Sequence, residues 1–106
     1  MKLREIAHSR TGDKGNISNI SVIAHEARNY PLIERFVTAE RVKAHFSEIV
    51  HGDVTRYELP QLGALNFVLR DALGGGVTRS LALDAHGKSL SSALLDLDLP
   101  DQEQPG

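Results

Sequence analysis

Two stretches of this chain space their apolar residues at incompatible intervals, so no single kind of secondary structure satisfies both. In ISNISVIA, Ile17 to Ala24, the side chains alternate: Ser18, Ile20, Val22 and Ala24 share one face, and Ile17, Asn19, Ser21 and Ile23 the other. In TAERVKAHFSEIV, Thr38 to Val50, the apolar positions Ala39, Val42, Phe46, Ile49 and Val50 return at helical spacing. Thr38 is placed to cap that helix, Glu40 lies in its first turn where a carboxylate meets the positive end of the dipole, and Gly52 offers a left-handed stop. A strand and a helix in one short chain make it an α+β protein. Isoleucine on both faces of the strand further implies that both are covered over part of their length.

The remaining segments fill in around this pair. Leu3 to Ala7 reads as a short strand. Pro31 opens a helix whose apolar side is Leu32, Ile33, Phe36 and Val37. Val54 to Leu59 alternates as a strand with one wet face, ended by Pro60. Leu62, Leu65, Leu69 and Leu73 predict a helix broken by Gly74, Gly75 and Gly76, and the rest predicts a hairpin turning at DAHGK, with Leu95, Leu97 and Leu99 alternating against Asp96 and Asp98. Strands and helices in that order predict a two-layer sandwich, with helices on one face of a mixed β-sheet. Its other face then meets water or a partner, which favours a homo-oligomer. With 106 residues the chain fits one core, expected over residues 1–99, and the polar residues 100–106, PDQEQPG, read as a flexible tail.

Charge and cysteine narrow the function. A formal net charge of −2 argues against a general polyanion binder, whose affinity comes from clustered Lys and Arg displacing counterions. The absence of cysteine excludes disulfides, thiolate catalysis and thiolate metal sites, and fits a cytoplasmic setting. No stretch approaches the roughly 20 apolar residues of a membrane span, and the N-terminus lacks the apolar block of a signal peptide. The expectation is a soluble cytoplasmic protein, with no membrane partner and no cofactor.

The most unusual stretch is SRTGDKGNISNIS, Ser9 to Ser21. Its GDKG matches the G-x-x-G loop that grips nucleic-acid backbones, but the segment joins strands rather than helices, and Asp13 would repel phosphate. The P-loop pattern fails as well, because Lys14 is followed by Gly15 and Asn16. What survives is an anion-binding concavity of backbone N–H groups around Gly12 and Gly15, with Arg10 and Lys14 adding charge. On spacing alone a solvated turn is the simpler reading. Downstream, Gly74, Gly75 and Gly76 exceed what a helix stop requires, and Arg79 follows them. Asn66 and Arg70 would share one face of the expected helix, either lining a polar site or forming a wet edge. The histidines form no recognised metal spacing, so no metal site is expected. His8, beside Ser9 at the end of the first strand, is a candidate base, as is Asp13.

HSRTGDKGNISNI, YPLIERFVTAERVKAHF, VTRYELPQLGALNFVL and ALGGGVTRSLALDAHGKSLSSALLDLDL together resemble the AtuA-like domain of acyclic terpene utilisation proteins, in its stand-alone form. The resemblance runs from Leu3 to Leu99. It implies a ferredoxin-like α+β fold and a setting in the catabolism of acyclic terpenoids or other branched acids as CoA thioesters. The family's loop carries over as Arg10, Thr11, Gly12, Asp13, Lys14, Gly15 and Asn16, and its later segments as Asn66, Phe67 and Gly74 to Arg79. The function expected from both lines is an accessory subunit of a larger AtuA-like protein that helps bind an acyl-CoA or carboxylate. Arg10, Lys14 and Arg79 would supply charge, the glycines backbone donors, and Asn16 and Asn66 orientation. Two alternatives stay open: a lyase or hydratase acting on an acyl-CoA through His8 or Asp13, and an oligomerisation module with no ligand.

Overall fold

The computed structural model describes residues 1–14, 17–47, 50–71 and 90–100. Ile17–Ala24 forms a strand over the residues its alternation marks, and it lies between two antiparallel neighbours. The elements run β1 (Ala7–Lys14), β2 (Ile17–Ala24), α1 (Tyr30–Phe36), α2 (Ala39–His45), β3 (Val54–Leu59), β4 (Ala64–Arg70) and α3 (Leu90–Leu94). The sheet order is β1-β2-β4-β3, and where a mixed sheet was expected every pairing among the described residues is antiparallel. Helices cover one face in a two-layer α+β arrangement. Among the described residues no helix is long and apolar enough to cross a membrane.

The covered face is the core. Ile20 and Val22 of β2 and Leu65, Phe67 and Leu69 of β4 are fully buried there, beneath Ile33 and Val37 of the α1 region and Val42 and Phe46 of the α2 region. Leu90 and Leu94 of α3 close it at one end, with Leu3, Leu97 and Leu99. Thr38 caps α2 as its side chain predicts, its hydroxyl accepting the Arg41 N–H at 3.1 Å. Pro31 sits in the first turn of α1. At the other end of α1, Arg56 reaches up from β3 and donates to the carbonyls of Glu34 (2.6 Å) and Val37 (3.0 Å), groups that a helix end leaves without intrahelical partners. The face of β3 bearing Val54, Arg56 and Glu58 is therefore turned towards the helices.

Four sequence expectations change. Leu3–Glu5 is a single 3₁₀ turn, and the first strand starts at Ala7 and continues through the polar run to Lys14. The segment around Leu65 is a strand rather than a helix: Leu65, Phe67 and Leu69 also alternate, and lying between β2 and β3 buries that row. Helix α2 ends at His45, short of Gly52. Gly52 has no positive φ; its N–H donates to the Arg70 carbonyl at 3.1 Å, and a Cβ there would lie 2.5 Å from that oxygen. A glycine that does occupy the left-handed region is Gly63, φ 61°, in the turn between β3 and β4, and Asp71 after β4 shares that region at φ 54°.

The expected final hairpin is also revised. Its first half and DAHGK lie outside the described residues, α3 follows, and residues 95–99 join no strand of the sheet. They pair instead with the N-terminus through a bridge between Lys2 and Asp98, with Leu3 N–H donating to Leu97 (2.9 Å) and Leu99 N–H to Met1 (2.7 Å). The alternation holds in burial: Leu97 and Leu99 point in, while Asp96 pairs with Arg4 and Asp98 with Lys2 at 3.0 Å. The hydrogen bond from Lys2 holds the Asp98 carboxyl below its usual range.

Candidate functional site

Period-two geometry sends alternate strand residues to opposite faces, and contacts fix which is which. On β1, Ser9 donates to the Ser91 carbonyl at 2.8 Å, and the Thr11 hydroxyl accepts the Ser91 N–H at 2.8 Å. Both therefore face α3. Arg10 and Gly12 stand on the opposite, open face, as does His8. The register carries that face across the sheet: Arg10 is opposite Ser21, Ser21 opposite Asn66, and Asn66 opposite Tyr57. These four residues form one row over all four strands, about 14 Å from end to end at the usual strand spacing.

Within this row Ser21 donates to Asn66 Oδ1 at 3.2 Å, which holds the Asn66 amide in one orientation. Arg10 is exposed and has no side-chain partner among the described residues, and the Tyr57 ring is 49% exposed. The next row sets Gly12 opposite Asn19, Asn19 opposite Val68 and Val68 opposite Thr55. A Cβ built on Gly12 meets nothing within 4 Å, and no positive φ explains the glycine. On the other side of the Arg10 row lie His8, Ile23, Ala64 and Leu59, with Leu59 39% exposed. Among the described residues no Asp or Glu stands on this face, although the chain as a whole carries a net charge of −2.

Of the residues singled out from sequence, Arg10, Gly12 and Asn66 are thus brought together, on strands rather than on a loop and a helix. Lys14 holds the register position opposite Ile17, and Asp13 the one opposite Ser18. Arg70 does not accompany Asn66 on a helix edge; from β4 it donates to the Thr55 hydroxyl at 2.9 Å. Gly15, Asn16, Gly74, Gly75, Gly76 and Arg79 lie outside the described residues. The candidate base His8 stacks on His25, with ring centroids 5.4 Å apart and planes at 25°, and makes no hydrogen bond among the described residues. No group of three or more His, Asp or Glu among the described residues could hold a metal.

Sequence reasoning missed two features. One is an open cleft of about 320 Å³ between α2 and β3, lined by Glu40, Lys43, Asp53 and Thr55, which contains none of the expected site residues. The other is Tyr30, buried with its hydroxyl unpartnered among the described residues; burial raises its pKa, helped by Glu34 and Glu58. A lone tyrosine in an apolar helix turn gives no sequence signal of this kind.

The fold and the open face define a class: a small antiparallel α+β domain whose sheet is closed by helices on one side and, on the other, presents Arg10 on a surface with no Asp or Glu among the described residues. The chain belongs to the AtuA ferredoxin-like domain family, whose model matches residues 1–100. No curated protein and no solved structure matches the chain significantly. Ferredoxin-like describes the fold, since the sequence has no cysteine to ligate an iron–sulfur cluster.

Proposed function

We propose that this chain is the accessory, ligand-contacting component of an AtuA-like system, and that its open sheet face holds the anionic group of an acyl-CoA or carboxylate against a larger AtuA-like partner. The observation that supports this most is the row Arg10, Ser21, Asn66. A guanidinium with no side-chain partner among the described residues stands beside a hydroxyl and an amide already fixed by their mutual hydrogen bond, on a face with no Asp or Glu among those residues. A guanidinium recognises carboxylate and phosphate through two parallel N–H bonds, and the missing acids spare the ligand a like charge. The acyl-CoA setting and the terpenoid or branched-acid pathway come from the family resemblance. In the neighbouring row the partly exposed Ile23 and the exposed Leu59 suit a ligand that is anionic at one end and aliphatic at the other.

Calorimetric titration of the purified chain with coenzyme A, short branched acyl-CoAs and the free branched acids tests the reading. Arg10→Ala should weaken binding about tenfold or more, the usual cost of a charge-assisted hydrogen bond, and Asn66→Ala by less. Unchanged affinity in both variants, or no binding to any of these anions with or without the larger partner, would overturn it.

A further inference from the structure

Gly12 is a glycine that the chain's own geometry does not require. It lies inside a strand, where glycine is about 0.5–1 kcal/mol less favourable than alanine, and the space above it is open to 4 Å. A glycine at such a position suits close approach by a ligand or by another backbone. Strand β1 ends the sheet, contains no proline, and has no strand on its outer side among the described residues. An edge left unpaired in this way among the described residues is a template for another strand.

We infer that the occupant is β1 of a second copy, paired antiparallel in the register that sets Arg10 opposite Gly12. Continuing the sheet with both helix layers on one side requires open-face residues to meet open-face residues. Two symmetric registers satisfy this while pairing seven of the eight strand residues, one centred on Arg10 and one on Thr11. The first opposes Arg10 to Arg10. The second gives each Arg10 a glycine to lie over, which accounts for Gly12. It also leaves the two Arg10 positions diagonal neighbours, about 7–8 Å apart, on the joined open face.

Two guanidiniums that close repel unless an anion lies between them. The dimer therefore forms a two-arginine clamp on its two-fold axis, suited to a doubly charged group such as phosphate. The clamp rests on the reading of the open face as an anion site; the strand pairing does not. Anion binding at the junction is linked to dimerisation, so phosphate should tighten it.

Sedimentation across a concentration series, with and without inorganic phosphate, tests both parts. The expected result is a dimer whose dissociation constant falls about tenfold in millimolar phosphate. Gly12→Val, which supplies a better strand former and should melt no earlier than the parent at concentrations where both are monomeric, should stay monomeric where the parent pairs. Arg10→Ala should dimerise without responding to phosphate. As a check independent of folding changes, Arg10→Cys chains mixed with Gly12→Cys chains should oxidise to a cross-linked pair, whereas either alone should not; the parent has no cysteine to interfere. A parent chain monomeric at high concentration in phosphate, or a Gly12→Val chain that dimerises normally, overturns the pairing even if Arg10-dependent ligand binding persists. A dimer indifferent to phosphate overturns the clamp alone.

Discussion

The two faces of the sheet are made from the same strands by opposite rules. Towards the helices, Ile20, Val22, Leu65, Phe67 and Leu69 are fully buried, and the polar groups that intrude are matched: Thr11 and Ser9 to the Ser91 backbone, Arg56 to the end of α1. Away from the helices the apolar residues are scattered, Arg10 is unpartnered among the described residues, and Gly12 leaves an empty notch. Stability resides on the first face, and the recognition proposed above on the second. Substitutions that remove the same number of atoms should therefore differ sharply according to the face they strike.

The sharpest contrast is between Phe67 and Tyr57, close in size and on adjacent strands. Phe67→Ala should cost about 3–5 kcal/mol in a denaturant melt through lost burial and the cavity left behind. Tyr57→Ala, on the open face, should cost less than about 1 kcal/mol. Equal losses would mean that the open face is packed in solution and the contrast is wrong.

Glycines give the next test. Gly52→Ala places a Cβ against the Arg70 carbonyl, a backbone atom that cannot swing away, and should cost about 1–3 kcal/mol. Gly12→Ala should be neutral or gain up to about 1 kcal/mol. Thermal melts of the two variants measure the difference directly.

How much of this was readable beforehand depended on which face supplied the signal. Strands β2 and β3 and the capped start of α2 were legible because each buries residues at its own period or carries a cap. Strand β4 was misread because Leu62, Leu65, Leu69 and Leu73 satisfy helical spacing while Leu65, Phe67 and Leu69 satisfy strand spacing; only pairing with two neighbours decides between them. Strand β1 was missed for a different reason. Its inward residues Ser9 and Thr11 are polar and are satisfied by a helix some eighty residues on, so no hydrophobic period exists to be read. Arg10, Gly12 and Asn66 were singled out as candidate site residues from motif and resemblance, but their shared face, with Arg10 and Asn66 in one row and Gly12 in the next, follows from register, which sequence spacing does not show.

Thr11→Val keeps the shape of the side chain but strips the acceptor from the Ser91 N–H. It should cost about 1–3 kcal/mol and loosen α3 first, visible as faster amide exchange over Leu90–Leu94.

The smallest effect concerns pH. Tyr30 has a pKa raised above the ordinary 10.0 by burial and nearby carboxylates. Folding then holds its proton more tightly than the unfolded chain does, so stability is unaffected below pH 10 and falls as pH rises from there towards the folded pKa. Tyr30→Phe should flatten that alkaline decline. Because the hydroxyl has no partner among the described residues, it should leave stability at neutral pH unchanged or slightly higher. A steeper decline in the variant would reverse the assignment.

The Met1 ammonium donates to the Leu99 carbonyl at 2.9 Å, and Lys2 and Asp98 bridge beside it, so the path of the chain over these residues closes almost into a ring. A ring has no privileged starting point. Joining residue 99 to residue 1 through a few small residues and reopening the chain between β1 and β2 should yield a permuted protein with the same core. The same closure means the unit could be spliced into a surface turn of another protein with little more than a turn's width separating its entry from its exit.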